Sequence, residues 1–214
     1  GGEAGDHLTD ADFNTAVGYG SLGANQLGSY NTALGRSALA VLNPTTASNM
    51  FNTAIGFAAG EALTTGKENT VVGSAALDAD VLGSQSTAIG YAALSSYNDT
   101  GGASNTNNVA VGYNAGAALT TAVQCTLVGG SAGSAAAMTG DNNTAVGTFA
   151  GNALTSGSEN TFVGVEAGDG TDDGANCVAV RFRALSANCS SNNVALGTSA
   201  GFSVTGSGNI LIGK

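Results

Sequence analysis

The stretch Asn52-Thr53-Ala54-Ile55-Gly56-Phe57-Ala58-Ala59-Gly60-Glu61-Ala62-Leu63-Thr64-Thr65-Gly66-Lys67-Glu68 runs directly into Asn69-Thr70-Val71-Val72-Gly73, and the return of its opening phrase after 17 residues decides the fold. Phrases of the same kind begin at Asn14, Asn31, Asn52, Asn69, Ser86, Asn108, Cys125, Asn143, Asn160, Cys177, Asn193 and Asn209. Their spacings are 17, 21, 17, 17, 22, 17, 18, 17, 17, 16 and 16 residues. A short fixed period of this kind marks a solenoid, in which each repeat is one coil stacked on the last. The expected fold is therefore all-β: a parallel β-solenoid (β-roll or β-helix) of about twelve coils with a period of about 17 residues. Residues 14–214 form the repeat domain, and residues 1–13 are a leading segment or cap.

Composition narrows the function classes. Of 214 residues, 9% are charged, against about a quarter in ordinary globular chains, while 43% are hydrophobic and 34 are Gly. Such a chain buries a core, and a surface this poor in charge calls for partners. The net charge of −10, with five Lys and Arg, argues against nucleic acid, which needs clustered cations. No apolar run reaches the ~18 residues of a membrane span. The chain opens on Gly1-Gly2 without an initiating Met, as expected of a mature or excised product.

With the Asn slot numbered zero, position +3 is aliphatic in every coil, from Val17, Leu34 and Ile55 to Leu196 and Ile212. This constancy predicts that +3 is the core rank. Position +1 is Thr in most coils and Val109, Val178, Val194 or Ile210 in the others, β-branched residues that favour strands. Because +1 and +3 share a face of a strand, the Thr rank is expected to point inward too. The largely Ala +2 rank is then a flat outward face that suits close approach by another chain. Position +4 is Gly except at Arg181, which marks a tight bend. The Asn slot reads as a ladder of stacked amides. Two longer coils carry inserts, at Ala40 to Phe51 with Pro44 and at Ser95 to Asn107.

The phrases Asn52-Thr53-Ala54-Ile55-Gly56, Ser86-Thr87-Ala88-Ile89-Gly90 and Asn108-Val109-Ala110-Val111-Gly112 resemble the head repeats of trimeric autotransporter adhesins, which build a left-handed parallel β-roll. Similar repeats occur in phage and virus fibre proteins. The resemblance spans residues 14 to 213 and implies an extracellular fibre or adhesive head, often trimeric. The chain departs from the adhesin pattern in its longer period, in its cysteines and in the absence of a following stalk. Its last coil, Asn209-Ile210-Leu211-Ile212-Gly213, is expected to leave an uncapped stacking end.

Candidate sites are sparse. His7 is the single histidine, outside the repeats, and no catalytic triad assembles around it. No catalytic residue and no cofactor are expected, and the chain is read as a non-enzyme. Asp169, Asp172 and Asp173, interleaved with Gly, are weak candidates for calcium. The sequons at Asn98, Asn142 and Asn188 are glycosylation candidates, with Asn98 in its long loop the first choice. Cys125 and Cys177 occupy Asn slots three coils apart, roughly 14 Å at strand spacing, too far for a disulfide. Cys177 and Cys189, within one coil, are a candidate pair, the alternative being three buried thiols.

The expectation is an extracellular structural protein at a cell or virion surface, a fibre- or filament-forming subunit that self-associates through small-residue faces and uncapped coil ends. The alternative is a trimeric adhesin or phage receptor-binding head that engages cell-surface glycans. Nucleic acid and membrane spanning are excluded as roles. An ice-binding role for the Thr rank is set aside on the premise that +1 shares its face with the core.

Overall fold

The computed structural model describes residues 1–99 and 105–214. It divides into two compact units, Gly1–Asn108 and Val109–Lys214, and each is a parallel β-solenoid of coils about 17 residues long. No helix occurs among the described residues.

In the first unit the sheet consists of β1 (Thr15–Val17), β3 (Thr32–Leu34), β5 (Thr53–Ile55), β6 (Thr70–Val72) and β7 (Thr87–Ile89). They pair in parallel and in strict register, Thr15 opposite Thr32, Thr32 opposite Thr53, and so on along the stack. A second ladder joins β2 (Gly28–Ser29) to β4 (Ser48–Asn49). Through it the Pro44 insert rejoins the stack, burying Leu42 and Met50. In the second unit β8 (Val109–Val111), β9 (Thr126–Val128), β10 (Thr144–Val146), β11 (Thr161–Val163), β12 (Val178–Val180), β13 (Val194–Leu196) and β14 (Ile210–Ile212) repeat the arrangement. Each strand is the β-branched triplet that follows the Asn slot, so local propensity and register agree.

Between strands the chain turns by left-handed residues at fixed offsets. In the coil that starts at Asn69 they are Glu68 (φ 59°), Gly73 (φ 142°), Ala75 (φ 53°) and Leu77 (φ 48°). Three of these lie near the ordinary left-handed region and accept a side chain. Position +4 does not: a Cβ on Gly112 would stand 2.6 Å from the carbonyl oxygen of Gly129 in the next coil. Glycine is required there by close approach of backbone as well as by φ. The leading segment follows the same rule, with Glu3 at φ 59° and Gly5 at φ 60°. It bonds onto the first full coil through Gly5 N–H to Ser21 O and Tyr30 N–H to Asp12 O.

The facing of the strands reverses the sequence-based expectation. Position +2 is the core rank: Ala33, Ala54, Val71 and Ala88 are fully buried in the first unit, and Ala110, Leu127, Ala145, Phe162, Ala179 and Ala195 in the second. Positions +1 and +3 point outward, and Val17 is 49% exposed and Leu34 44%. The reason is parity. The slot side chain at zero is buried, so +2 shares its side and +1 and +3 take the other. A coil this small encloses little volume, which Ala fills at +2 together with one larger residue elsewhere, or two, as in the longer coil from Asn31. That residue is Leu at +8 (Leu22, Leu39, Leu77, Leu94, Leu185) or Leu at +11 (Leu42, Leu63, Leu119, Leu154), all buried. Where +2 itself is large, +8 is Gly: a Cβ on Gly133 would meet Leu127, and one on Gly168 would meet the Phe162 ring.

The buried slot forms the expected amide ladder. Asn52 Oδ1 accepts the Asn69 backbone N–H at 2.9 Å, and Asn69 Oδ1 accepts that of Ser86 at 2.9 Å. Asn52 Nδ2 donates to Gly66 O at 2.8 Å and Asn69 Nδ2 to Gly83 O at 2.9 Å. Each amide thus satisfies one donor and one acceptor that the corner would otherwise leave unpaired in the interior.

Candidate interaction face

The feature with the clearest functional content is the outer wall of each sheet. In the first unit it presents Thr15, Thr32, Thr53, Thr70 and Thr87 beside Val17, Leu34, Ile55, Val72 and Ile89. In the second unit Val109, Val178, Val194 and Ile210 join three threonines at +1, beside Val111, Val128, Val146, Val163, Val180, Leu196 and Ile212 at +3. Neither rank holds a charged residue in either unit. All these side chains are exposed or half-buried, and Ile212 reaches 77%.

Aromatic residues flank the wall. On the −1 side of the first unit Phe13, Tyr30 and Phe51 stack coil on coil, with ring centroids 4.8 Å and 5.2 Å apart. On the +5 side stand Tyr19, Phe57 and Tyr91, all half exposed or more, with the Arg36 guanidinium over the Phe57 ring at 5.5 Å. In the second unit Tyr113 and Phe182 continue the +5 rank, and Arg183 lies over Phe182 at 5.1 Å. Sequence reading missed these flanks. Their signal was there to find, since Phe13, Tyr30 and Phe51 each directly precede an Asn slot. A shallow groove of about 650 Å³ runs along Val180, Leu196 and Ile212, edged by Arg181. Arg181 is the one residue at +4 that is not Gly, and it is held at φ 92°.

The two ranks expected to form the core are therefore the exposed surface, and the Ala rank expected outside is sealed within. The premise used against an ice-binding role also falls, because the Thr rank faces solvent.

The remaining candidates are scattered. Asp169, Asp172 and Asp173 do not converge, and among the described residues no three His, Cys, Asp or Glu side chains gather as a metal site would need. Burial pushes the Asp169 carboxyl up from its ordinary range, opposed by a bond from Ser186. Asp172 takes the Asp173 N–H at 2.6 Å. His7 is exposed, its Nδ1 3.0 Å from Asp6 and 2.5 Å from the Gly23 carbonyl oxygen. That carbonyl, with Asp6, raises its pKa by favouring the protonated ring. Asn142 and Asn188 are exposed and Asn98 is half-buried. Thr100 of the Asn98 sequon lies outside the described residues.

All three cysteines are buried and none is in a disulfide. Cys125 replaces Asn in the ladder and reaches the Gly140 carbonyl oxygen at 3.6 Å. Burial pushes its thiol up to about 11, so it stays protonated and inert at neutral pH. Cys177 and Cys189 interact directly. The hydrogen bond to Cys189, with burial, raises the Cys177 thiol, and the hydrogen bond to Cys177 lowers that of Cys189.

Asp80 is a buried carboxyl at a core position where other coils place Leu. Its Oδ1 accepts the N–H groups of Gly83 and Asp99, each at 3.1 Å, and its Oδ2 has no hydrogen-bond partner among the described residues. Burial raises its pKa to about 6.

No protein-family model, no curated protein and no solved structure matches this chain. Among the described residues no helix is long and apolar enough to cross a membrane.

Proposed function

We propose that this protein is an extracellular structural subunit of a fibre, and that copies of it associate through the Thr/aliphatic walls. The observation that carries this reading is an exposed wall, free of charge, that repeats at strand spacing in each unit. A contiguous apolar surface of this kind marks an interaction site. Its occupant must present apolar groups at the same pitch of about 4.8 Å and bring no charge that would be stranded on burial. A second copy of the same wall meets both conditions. The repeat phrase supports the same reading through its resemblance to fibre and adhesin heads.

Sedimentation of the intact chain at micromolar concentration tests it. Oligomers or filaments are expected for the parent, and folded monomers for a variant with Ile55→Asp and Val163→Asp. A parent that stays strictly monomeric refutes the proposal.

The exposed aromatics at +5 favour a second reading, a discrete head that displays Tyr19, Tyr91 and Tyr113 to cell-surface glycans. Discrete trimers that bind a glycan array distinguish it from a continuous filament. The Thr rank makes ice the competing occupant of the wall, and thermal hysteresis from a monomeric chain identifies that case.

A further inference from the structure

In the coil from Cys177 to Asn193 a cysteine occupies the Asn slot and a second cysteine occupies the return corner, a combination that no other coil has. Both are fully enclosed, with Cys177 at 0% exposure and Cys189 at 1%. Cys177 Sγ lies 3.5 Å from the carbonyl oxygen of Ser190, the residue that follows Cys189. Cys189 Sγ lies 3.3 Å from Thr171 Oγ1 in the preceding coil. Together these contacts bring both sulfurs to one corner of one coil. The slot explains why the pair is notable. In its usual form the slot amide donates to a corner carbonyl, as Asn193 Nδ2 does to Ser190 O at 2.6 Å. Cys177 makes only a weak S–H contact in its place, so the coil has given up part of its ladder where a second thiol stands opposite.

We propose that Cys177 and Cys189 form a disulfide that staples this coil across its interior when the chain meets an oxidising medium. The inference does not rest on the fibre reading; it needs only a small-molecule disulfide as oxidant. In the reaction, before the coil closes over the pair during folding, the Cys189 thiolate attacks one sulfur of oxidised glutathione, forming a mixed disulfide and releasing one glutathione thiolate. The Cys177 thiolate then attacks Cys189 Sγ, closing the protein disulfide and releasing the second. Two thiol protons go to solvent and two electrons to glutathione. Cys125 takes no part: it sits three coils away in the same unit, roughly 14 Å at strand spacing, beyond the reach of a disulfide.

The test is refolding of the full chain from denaturant in a mixture of reduced and oxidised glutathione, followed by alkylation and peptide mass mapping. The expected product has one alkylatable thiol, Cys125, a mass lower by about 2 Da, and a peptide joining Cys177 to Cys189. Reduction restores three thiols and lowers the melting temperature by roughly 5–10 °C. The variant Cys177→Asn, which restores the usual slot residue, is expected to fold without any response to reductant. Should refolding fail, the natively purified chain is held in oxidised glutathione at temperatures rising to its unfolding onset, and the same thiol count decides. Three free thiols in the folded, oxidant-treated chain, or a bridge that includes Cys125, overturn the proposal.

Discussion

Asn143 Oδ1 accepts the backbone N–H of Asn160, one coil on, at 3.0 Å, while Asn143 Nδ2 donates at 2.8 Å to the carbonyl oxygens of both Gly140 and Gly157. One buried amide thus serves three backbone groups in two coils. Asn143→Ala strands the Asn160 N–H and the Gly157 carbonyl and leaves Gly140 O only the long Cys125 S–H contact, and at 1–3 kcal/mol for each stranded group the loss is about 2 kcal/mol or more. Asn143→Asp is expected to be worse, because a carboxylate turns an oxygen toward two carbonyls. Asn143→Cys is expected to be milder, since Cys fills the slot at Cys125 and Cys177. Denaturant unfolding followed by circular dichroism ranks the three.

The exchange of volume between +2 and +8 predicts a rescue. Phe162→Ala opens a core cavity and costs about 3–5 kcal/mol. Adding Gly168→Leu recreates the Ala33/Leu39 arrangement, in which Leu39 stands at φ 50° and is fully buried. The double variant is expected to recover at least half of the loss, whereas Gly168→Leu alone collides with the Phe162 ring. A double-mutant cycle with no coupling between the sites refutes this account of the core.

Position +4 gives a pair of opposite outcomes. Gly147→Ala drives a Cβ into the Gly164 carbonyl at φ 138° and is expected to destabilise by about 2 kcal/mol or more. Arg181→Gly relieves a residue held at φ 92° and is expected to stabilise by about 1 kcal/mol. Thermal melts of the two variants read both signs.

Asp80 gives a pH dependence. Its carboxyl is raised to about 6 in the folded chain, chiefly by burial, from 3.8. The folded state therefore favours the neutral acid. The penalty for ionising it is absent below pH 3.8, grows as the pH rises, and is complete above about 6. At pH 7 it amounts to roughly 3 kcal/mol. Asn25 shows the remedy within this chain: Oδ1 accepts the Gly28 N–H at 2.8 Å and Nδ2 donates to Gly28 O at 2.7 Å. Asp80→Asn is expected to stabilise the chain at pH 7 and to flatten its melting temperature between pH 4 and 6. An unchanged pH profile counts against a neutral Asp80.

The recurring phrase was enough to set the fold class, the period, the strand positions and the Asn ladder. Each of these rests on local chemistry: β-branched triplets favour strands, Gly permits the bend at +4, and a polar slot at a fixed interval can only stack on itself. Gly residues at +4 such as Gly112 and Gly147 carry the same message in the structure, where each is approached by a carbonyl of the next coil too closely for a side chain. What one coil's residues did not determine was which side of the strand faces in. Constancy at +3 suggested a core, yet this uniformly aliphatic rank lies on the outer wall. The parity that links +2 to the buried Asn slot was present in the sequence, but its use required knowing that the slot side chain points inward. That is a property of the closed coil, whose narrow interior admits Ala33 and Leu39 and turns Leu34 out into solvent. The meeting of Cys177 with Cys189 and the burial of Asp80 likewise belong to tertiary structure, because each depends on how far the chain has travelled around the coil before it returns.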